Sequence, residues 1–117
     1  MQIHSPDSVQ LIELRDRMLQ STLRTEDCPF AIRDEYPIVL SPSKTQFSHV
    51  AVQQGEVIAH LNIWPRHLVD QTGQPVARIG LIGNVATHPG WRGQGIMRQM
   101  FHWLEREHGH PEFDAMV

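Results

Sequence analysis

The segment that decides the fold reads Asn84-Val85-Ala86-Thr87-His88-Pro89-Gly90-Trp91-Arg92-Gly93-Gln94-Gly95-Ile96-Met97. Its apolar beginning is typical of a strand that ends near Thr87, and its glycines predict a tight turn that leads into a helix. Backbone N–H groups at the start of such a helix point into one space, together with the positive end of the helix dipole. The segment therefore predicts an anion-binding site, and phosphate is the commonest occupant of such sites.

The residues of the turn suit a phosphate ligand. Gly93 and Gly95 allow a ligand to come within hydrogen-bonding distance of the backbone, and Arg92 can add a charge-assisted contact. Two common phosphate-binding motifs do not fit, however. A Walker loop contains the sequence Gly-Lys-Ser/Thr, and no lysine follows Lys44 in this chain. A dinucleotide fingerprint has a third glycine where this chain has Arg98.

Three strands are predicted before this turn. They cover residues 47–53, 57–64 and 76–87, with a turn at Gln54 and Gly55 that makes the first two a hairpin. A turn-rich loop that begins at Pro65 separates the second strand from the third. Gly80 and Gly83 interrupt the third strand, which indicates a β-bulge or the close approach of another group to the backbone.

A helix is predicted at the start of the chain, from about Asp7 to Leu23. Ser5 is the expected N-cap and Pro6 the expected first helical residue. Residues 25–44 contain three prolines and predict a long irregular connection with one short helix.

A second helix is predicted after Gly95. Ile96, Met100 and Leu104 share one face of this helix, which should end near Gly109. Residues 113–117 predict the beginning of a further strand. The order of elements predicts an α+β fold in which helices flank a central, mostly antiparallel sheet.

The deciding segment resembles the acetyl-CoA motif of the GCN5-related N-acetyltransferase (GNAT) superfamily. That motif is a strand ending in Val-x-x-x-Pro, followed by Arg/Gln-x-x-Gly-x-Gly/Ala at a helix start. Residues 85–89 match the first part, and residues 92–97 match the second part at its first and fourth positions. Met97 departs from the pattern, because the family favours glycine or alanine there. The long irregular connection and the phrase Val-Ala-Thr-His-Pro are also similar to the multidomain acetyltransferases of the enhanced-intracellular-survival type.

The resemblance implies roles for individual residues. The backbone of Val85, Ala86 and Thr87 would hydrogen-bond the pantetheine arm of acetyl-CoA, and the Val85 N–H would polarise the thioester carbonyl. The pyrophosphate would be held by backbone N–H groups, with two arginine side chains nearby; the residues are Gly93, Gln94, Gly95, Ile96 and Met97, with Arg92 and Arg98. The expected reaction is direct attack of a neutral amine on the cosubstrate acetyl-CoA, which depends on positioning the two substrates together.

Residues for proton transfer are harder to identify. Many members of the family use a tyrosine after strand five, but this chain ends before that position, and its only tyrosine, Tyr36, lies in the early connection. No carboxylate falls within residues 76–87. The candidates by proximity are His88 and, across the hairpin, His60, and we take His88 as the catalytic candidate.

Composition disfavours several classes of function. The chain has 117 residues and a net charge of -3 without a basic run, which disfavours binding to nucleic acid or to an anionic membrane surface. Cys28 is the only cysteine, and the spacing of His102, His108 and His110 does not put all three on one helical face, so no metal site is expected. Neither a secretory signal nor a membrane-spanning segment is visible, which favours the cytoplasm.

We therefore expect an N-acetyltransferase that moves an acetyl group from acetyl-CoA to a primary amine of a small molecule or peptide. The alternative is a non-catalytic acyl-CoA-binding or assembly module, which the missing tyrosine favours. Residues 1–117 are expected to form a single GNAT-like acetyl-CoA-binding domain that lacks the C-terminal part of the fold. An exposed strand edge at residues 113–117 favours pairing with a second copy of the chain.

Overall fold

The computed structural model describes all residues from Met1 to Val117 as one five-stranded sheet with three helices. In chain order the elements are β1 (Gln2–His4), α1 (Val9–Leu23), α2 (Ile32–Glu35), β2 (Ser48–Gln53), β3 (Glu56–Val69), β4 (Pro75–Thr87), α3 (Ile96–His108) and β5 (Ala115–Met116). Single turns of 3-10 helix precede β2 and follow β4, at Thr45–Phe47 and Pro89–Trp91.

The strands lie in the sheet in the order in which they occur along the chain. The first four strands are antiparallel, and β5 pairs with β4 in parallel, with Ala115 opposite Ile79. This arrangement confirms the predicted α+β class with a mostly antiparallel sheet. The predicted turn at Gln54 and Gly55 is also confirmed, since both residues have positive φ (52° and 76°), as a two-residue hairpin turn of type I′ requires.

Both faces of the sheet are covered, each by one long helix. The neighbouring residues Val50 and Ala51 of β2 point to opposite faces, and Val50 packs with the core beneath α1 while Ala51 packs with the core beneath α3. The predicted apolar face of α3 is confirmed, because Ile96, Met100 and Leu104 are its buried residues. The sheet is thus held between α1 and α3, and the turn that joins β4 to α3 lies at the sheet's end.

The sequence missed one of the early elements, and two of its predictions were wrong. β1 was not predicted, because three residues are too few to show an alternating pattern. The N-cap of α1 is Ser8, whose Oγ accepts a hydrogen bond from the Leu11 N–H at 3.1 Å, and not Ser5. β3 continues to Val69 instead of ending at Trp64, and Pro65 lies inside it. A proline is tolerated there because pairing with β2 ends at Asn62, so β3 has only one neighbour beyond that point.

A β-bulge interrupts β4 beside Gly83, as the sequence predicted. Gly83 lies opposite Asn62, and Ala86 lies opposite His60. Two residues of β4, Asn84 and Val85, therefore face the one residue of β3 that lies between His60 and Asn62. Asn84 has a φ of 46°, which is uncommon for a residue other than glycine. The bulge lies within the segment that decides the fold, immediately before the turn.

Gly80 has a different role from the bulge. A Cβ atom at this position would lie 2.6 Å from Cδ1 of Ile63 and 3.4 Å from the ring of Phe113. Ile63 and Phe113 belong to the core beneath α3. The absence of a side chain at residue 80 therefore lets this core pack directly against the backbone of β4.

The helices are too short or too polar for any of them to cross a lipid bilayer. The cytoplasmic location and the pairing of two copies through the edge near β5 both stay predictions.

Candidate functional site

The predicted cofactor-binding residues converge where β4 ends and α3 begins. A cavity of about 150 Å³ is lined there by Thr87, Trp91, Arg92, Gly93, Gly95, Ile96, Met97 and Arg98. All of these except Trp91 were predicted as cofactor-binding residues. The other three predicted residues are Val85 and Ala86 in the strand just before the cavity and Gln94 in the turn.

The backbone of the turn presents a row of free hydrogen-bond donors. None of the six successive N–H groups from Gly93 to Arg98 donates to a protein acceptor, and the first helical hydrogen bond of α3 runs from the Gln99 N–H to the Gly95 carbonyl. The N-cap residue Gly95 has no side chain that could satisfy them. Unpaired N–H donors at a helix N-terminus are satisfied by water or by an anion.

The two glycines of the turn keep this row of donors open. Gly93 and Gly95 have φ angles of 80° and 74°, a left-handed conformation that residues with a Cβ rarely adopt. A Cβ built at either position would meet no atom within 4 Å, so the space above both residues is free. The turn is therefore an exposed cradle of N–H groups that the fold leaves without an occupant from the chain itself.

The charges around the cradle are positive. Arg92 and Arg98 are exposed, and neither forms an ion pair with a carboxylate. The Arg92 Nε donates to the Thr87 carbonyl at 3.2 Å, which holds its guanidinium over the end of β4. Together with the positive end of the α3 dipole, the two arginines make this an attractive site for a multiply charged anion.

Met97, the departure from the family motif, does not obstruct the cradle. Its side chain is half-buried and packs against the core beneath α3. Its N–H is one of the six unpaired donors. The larger side chain at this position thus leaves the backbone available to a ligand.

The outer edge of β4 is unpaired next to the cradle. Hydrogen bonds to β5 and the residue after it reach only as far as Ile82, whose N–H donates to the Val117 carbonyl at 2.6 Å. Residues 83–87 have no strand partner on that side. Val85 is 41% exposed within this stretch, whereas Ala86 turns into the core beneath α1. An extended ligand can therefore reach the backbone around Val85 from the cradle.

His60 is buried in a row of polar groups that crosses from α1 to the bulge. The Arg15 Nη1 lies 3.2 Å from the Ser48 Oγ, that oxygen lies 2.5 Å from the His60 Nε2, and the His60 Nδ1 lies 2.9 Å from the Asn84 carbonyl oxygen. Burial lowers the pKa of His60 to about 3, so its imidazole is neutral at physiological pH. With both nitrogens engaged and no exposed surface, His60 cannot exchange a proton with a ligand.

Arg15 and Ser48 also belong to this row, and the sequence pattern alone did not identify them as such. Arg15 is fully buried in α1, where burial lowers the pKa of its guanidinium and where it also donates to the Leu40 carbonyl at 2.7 Å. A signal was present, because Arg15 lies three residues after Ile12 and three before Met18, in the buried stripe of α1.

His88 caps the turn that follows β4. Its Nδ1 accepts a hydrogen bond from the Gly90 N–H at 3.0 Å, and its ring is exposed. The ring also borders a second cavity, of about 240 Å³, between α1 and the hairpin of β2 and β3. The role of His88 in proton transfer stays a prediction, and its Nε2 is the nitrogen left available.

The histidines near the end of α3 do not converge. No three side chains of histidine, cysteine, aspartate or glutamate are grouped so that they could hold a metal ion. The Nδ1 of His108 instead lies 3.0 Å from a carboxylate oxygen of Glu112.

A comparison with known protein families covers almost the whole chain. A model of the acetyltransferase (GNAT) family matches residues 11–116. No curated protein matched the sequence.

Three solved structures illustrate the likeness in fold. A ribosomal-protein-alanine N-acetyltransferase from Brucella melitensis biovar Abortus 2308 superposes with a TM-score of 0.69 at 17% identity, over 100% of this chain and 78% of that one. A transcriptional regulator from Bacillus halodurans C-125 also gives 0.69 at 17% identity, over 98% and 78%. A predicted acetyltransferase with acetyl-CoA from Clostridium acetobutylicum gives 0.61 at 18% identity, over 99% and 79%. From the family match and the shared fold we conclude that the chain belongs to the GNAT acetyltransferase family.

Proposed function

We propose that the protein is an N-acetyltransferase that transfers an acetyl group from acetyl-CoA to a primary amine of a small molecule or peptide. The observation that carries the proposal is the open cradle at the start of α3, where six successive N–H groups are unpaired beside two arginines that form no ion pair. We further propose that residues 1–117 act as a single acetyl-CoA-binding domain.

In this proposal the cradle binds the pyrophosphate of the cosubstrate. The N–H groups of Gly93, Gln94, Gly95, Ile96 and Met97 donate to phosphate oxygens. Arg92 and Arg98 balance the negative charge from either side of the turn. Two observations support the fit: a Cβ at Gly93 or Gly95 would meet no atom within 4 Å, and the half-buried side chain of Met97 packs against the core beneath α3.

The unpaired edge of β4 receives the pantetheine arm. Backbone groups of Val85, Ala86 and Thr87 hydrogen-bond the arm, as the free edge of a sheet does with any extended chain. The Val85 N–H donates to the thioester carbonyl oxygen and stabilises the negative charge that develops there as the amine attacks.

The reaction balances without a further reagent. The neutral amine nitrogen forms a bond to the thioester carbonyl carbon while the carbon–sulfur bond breaks and its electron pair leaves on sulfur. The nitrogen loses one proton and the thiolate gains one, so the products are an amide and the free thiol of CoA. We assign the proton transfer to the His88 Nε2, directly or through water, because the Nδ1 is occupied by the Gly90 N–H.

The choice of an amine acceptor is supported by the activities for which similar proteins are named. One is a ribosomal-protein-alanine N-acetyltransferase, and another is an aminoglycoside 6'-N-acetyltransferase complexed with coenzyme A, which matches at a TM-score of 0.59 and 15% identity. Both transfer to nitrogen.

The proposal is tested by combining binding with turnover. Calorimetric titration of the full chain with acetyl-CoA should show one site, and a panel of primary amines and peptides should release free thiol, detected with a thiol reagent. If acetyl-CoA bound but none of the amines caused the release of free thiol, the result would support a non-catalytic acyl-CoA-binding module instead. Absence of acetyl-CoA binding would overturn both functions.

A further inference from the structure

The hydrogen bonds around His60 can run in only one direction. A carbonyl oxygen accepts and never donates, so the His60 Nδ1 must carry the proton that is shared with the Asn84 carbonyl oxygen at 2.9 Å. A neutral imidazole then accepts at Nε2, where the Ser48 hydroxyl donates at 2.5 Å. The guanidinium of Arg15, which can only donate, completes the row by donating to the Ser48 Oγ.

The acceptor of this row belongs to the peptide group that carries the Val85 N–H. The only cis peptide bond in the chain precedes Pro111, so the Asn84–Val85 peptide is trans. In a trans peptide the C=O and the N–H point in opposite directions within one plane. Because the Asn84 carbonyl points at His60, the Val85 N–H points away from it. The orientation of this N–H is therefore set from the opposite side of the strand.

A second contact holds the same bulge residue. The Asn62 side-chain amide donates to the Asn84 Oδ1, and Asn62 is buried in β3 two residues after His60. A Cβ at Gly83 would lie 3.0 Å from the Asn62 Oδ1, so the glycine leaves the room that this side chain occupies. Two inward-facing residues of β3 thus hold Asn84: His60 holds its main chain, and Asn62 holds its side chain.

We propose that His60 is a positioning residue for acetyl transfer, which fixes the Asn84–Val85 peptide so that the Val85 N–H is aimed at the thioester carbonyl. The inference rests on the proposed function and deepens it. His60 touches neither the acetyl group nor the amine. It acts by holding a backbone conformation that Asn84, with its positive φ, does not otherwise favour. Its hydrogen bond to the carbonyl also polarises the peptide group and strengthens the N–H as a donor.

The direct test measures the bound thioester. The infrared carbonyl band of carbon-13-labelled acetyl-CoA should move to lower frequency when it binds the full chain, because a donor polarises the bond. In His60→Leu the band should return at least halfway to its position in solution, and kcat should fall about tenfold or more. The dissociation constant of CoA, which has no acyl carbonyl, should stay within about twofold, because the cradle is untouched.

Matched variants separate positioning from stability. His60→Asn places an amide donor close to the position of Nδ1 and should keep the lowered carbonyl frequency. His60→Gln places its amide near the position of Nε2 and should lose the shift. His49→Leu makes the same exchange at another buried histidine, which forms no side-chain hydrogen bond, and should leave the band unchanged. If His60→Leu does not fold, the comparison of His60→Asn with His60→Gln gives the same answer.

Equal carbonyl frequencies in the unmodified chain, His60→Asn and His60→Gln would overturn the inference and leave the proposed function standing. A band that does not move when acetyl-CoA binds the unmodified chain would overturn the role of the Val85 N–H. Failure of acetyl-CoA to bind at all would overturn the proposed function first.

Discussion

The ring of His49 packs against the indole of Trp103, with 5.0 Å between the ring centroids, and neither nitrogen of His49 has a hydrogen-bond partner. His49 lies in β2 and is only 2% exposed, so the contact joins the sheet to α3. A buried polar group without a partner reduces stability, because it has lost its water and gained nothing in return.

We expect His49→Phe to stabilise the fold. The exchange keeps an aromatic ring against Trp103 and removes the two unpaired nitrogens, so the free energy of unfolding should rise by about 1–2 kcal/mol. Urea denaturation at pH 7.5 measures this change. The exposed residue His102 on α3 provides the control, since His102→Phe should change stability by less than about 0.5 kcal/mol. A loss of stability in His49→Phe would contradict the interpretation.

Acid should weaken the fold in a pH range that identifies the buried histidines. Burial lowers the pKa of His49 to about 4 and that of His60 to about 3, whereas both should titrate near 6.5 in the unfolded chain. Below pH 6.5 these two histidines therefore bind protons in the unfolded state but not in the folded state. As a result, the free energy of unfolding falls as the pH decreases. The slope for each histidine should approach about 1.4 kcal/mol per pH unit.

Unfolding free energies measured between pH 7.5 and pH 5 test this expectation. His49→Phe should remove about half of the loss over this range, because only His60 then remains. Carboxylates change the stability only at more acidic pH and therefore do not affect this measurement. For example, the Arg24 guanidinium lowers the pKa of Glu35 below its ordinary value of 4.5. Stability that is flat from pH 7.5 to pH 5 would rule out the histidine origin.

Arg15 should be one of the residues most sensitive to truncation. Its guanidinium is fully buried and donates to the Leu40 carbonyl and the Ser48 hydroxyl, so removing it leaves both acceptors without a donor and opens a cavity. Arg15→Ala should lower the free energy of unfolding by about 3 kcal/mol or more. Arg17→Ala, at an exposed position on the same helix, should cost less than about 1 kcal/mol in the same urea titration.

The sequence predicted the site better than it predicted what supports the site. Local chemistry determines the cradle, because the glycines, Arg92 and the apolar stripe of α3 lie within one short segment. The support of the bulge depends on partners far apart in the chain, since Arg15, Ser48 and His60 meet only when α1 packs on the sheet. Sequence periodicity marks their positions as buried, and only the folded register shows that they bond to one another and to Asn84.

The two arginines beside the cradle should act on one part of the cosubstrate. Arg92 and Arg98 are exposed and form no ion pair, and both line the cavity at the start of α3. Arg92→Ala and Arg98→Ala should each weaken the binding of CoA by about tenfold at low salt, because a charge-assisted contact to the pyrophosphate is lost. Acetyl-pantetheine, which has the thioester arm and no pyrophosphate, should bind each variant as it binds the unmodified chain.

The contrast between the two ligands makes this prediction specific to the cradle. A variant that merely loosened α3 would weaken CoA and acetyl-pantetheine together, because the helix also packs against the sheet through Ile96 and Met100. Arg106→Ala removes a positive charge from the last turn of the same helix and should leave both affinities unchanged within about twofold. Calorimetry with the two ligands measures these affinities. If all three variants bound CoA like the unmodified chain, the pyrophosphate would have to bind elsewhere. Selective loss of CoA affinity in Arg92→Ala and Arg98→Ala alone is the outcome that a phosphate-binding cradle requires.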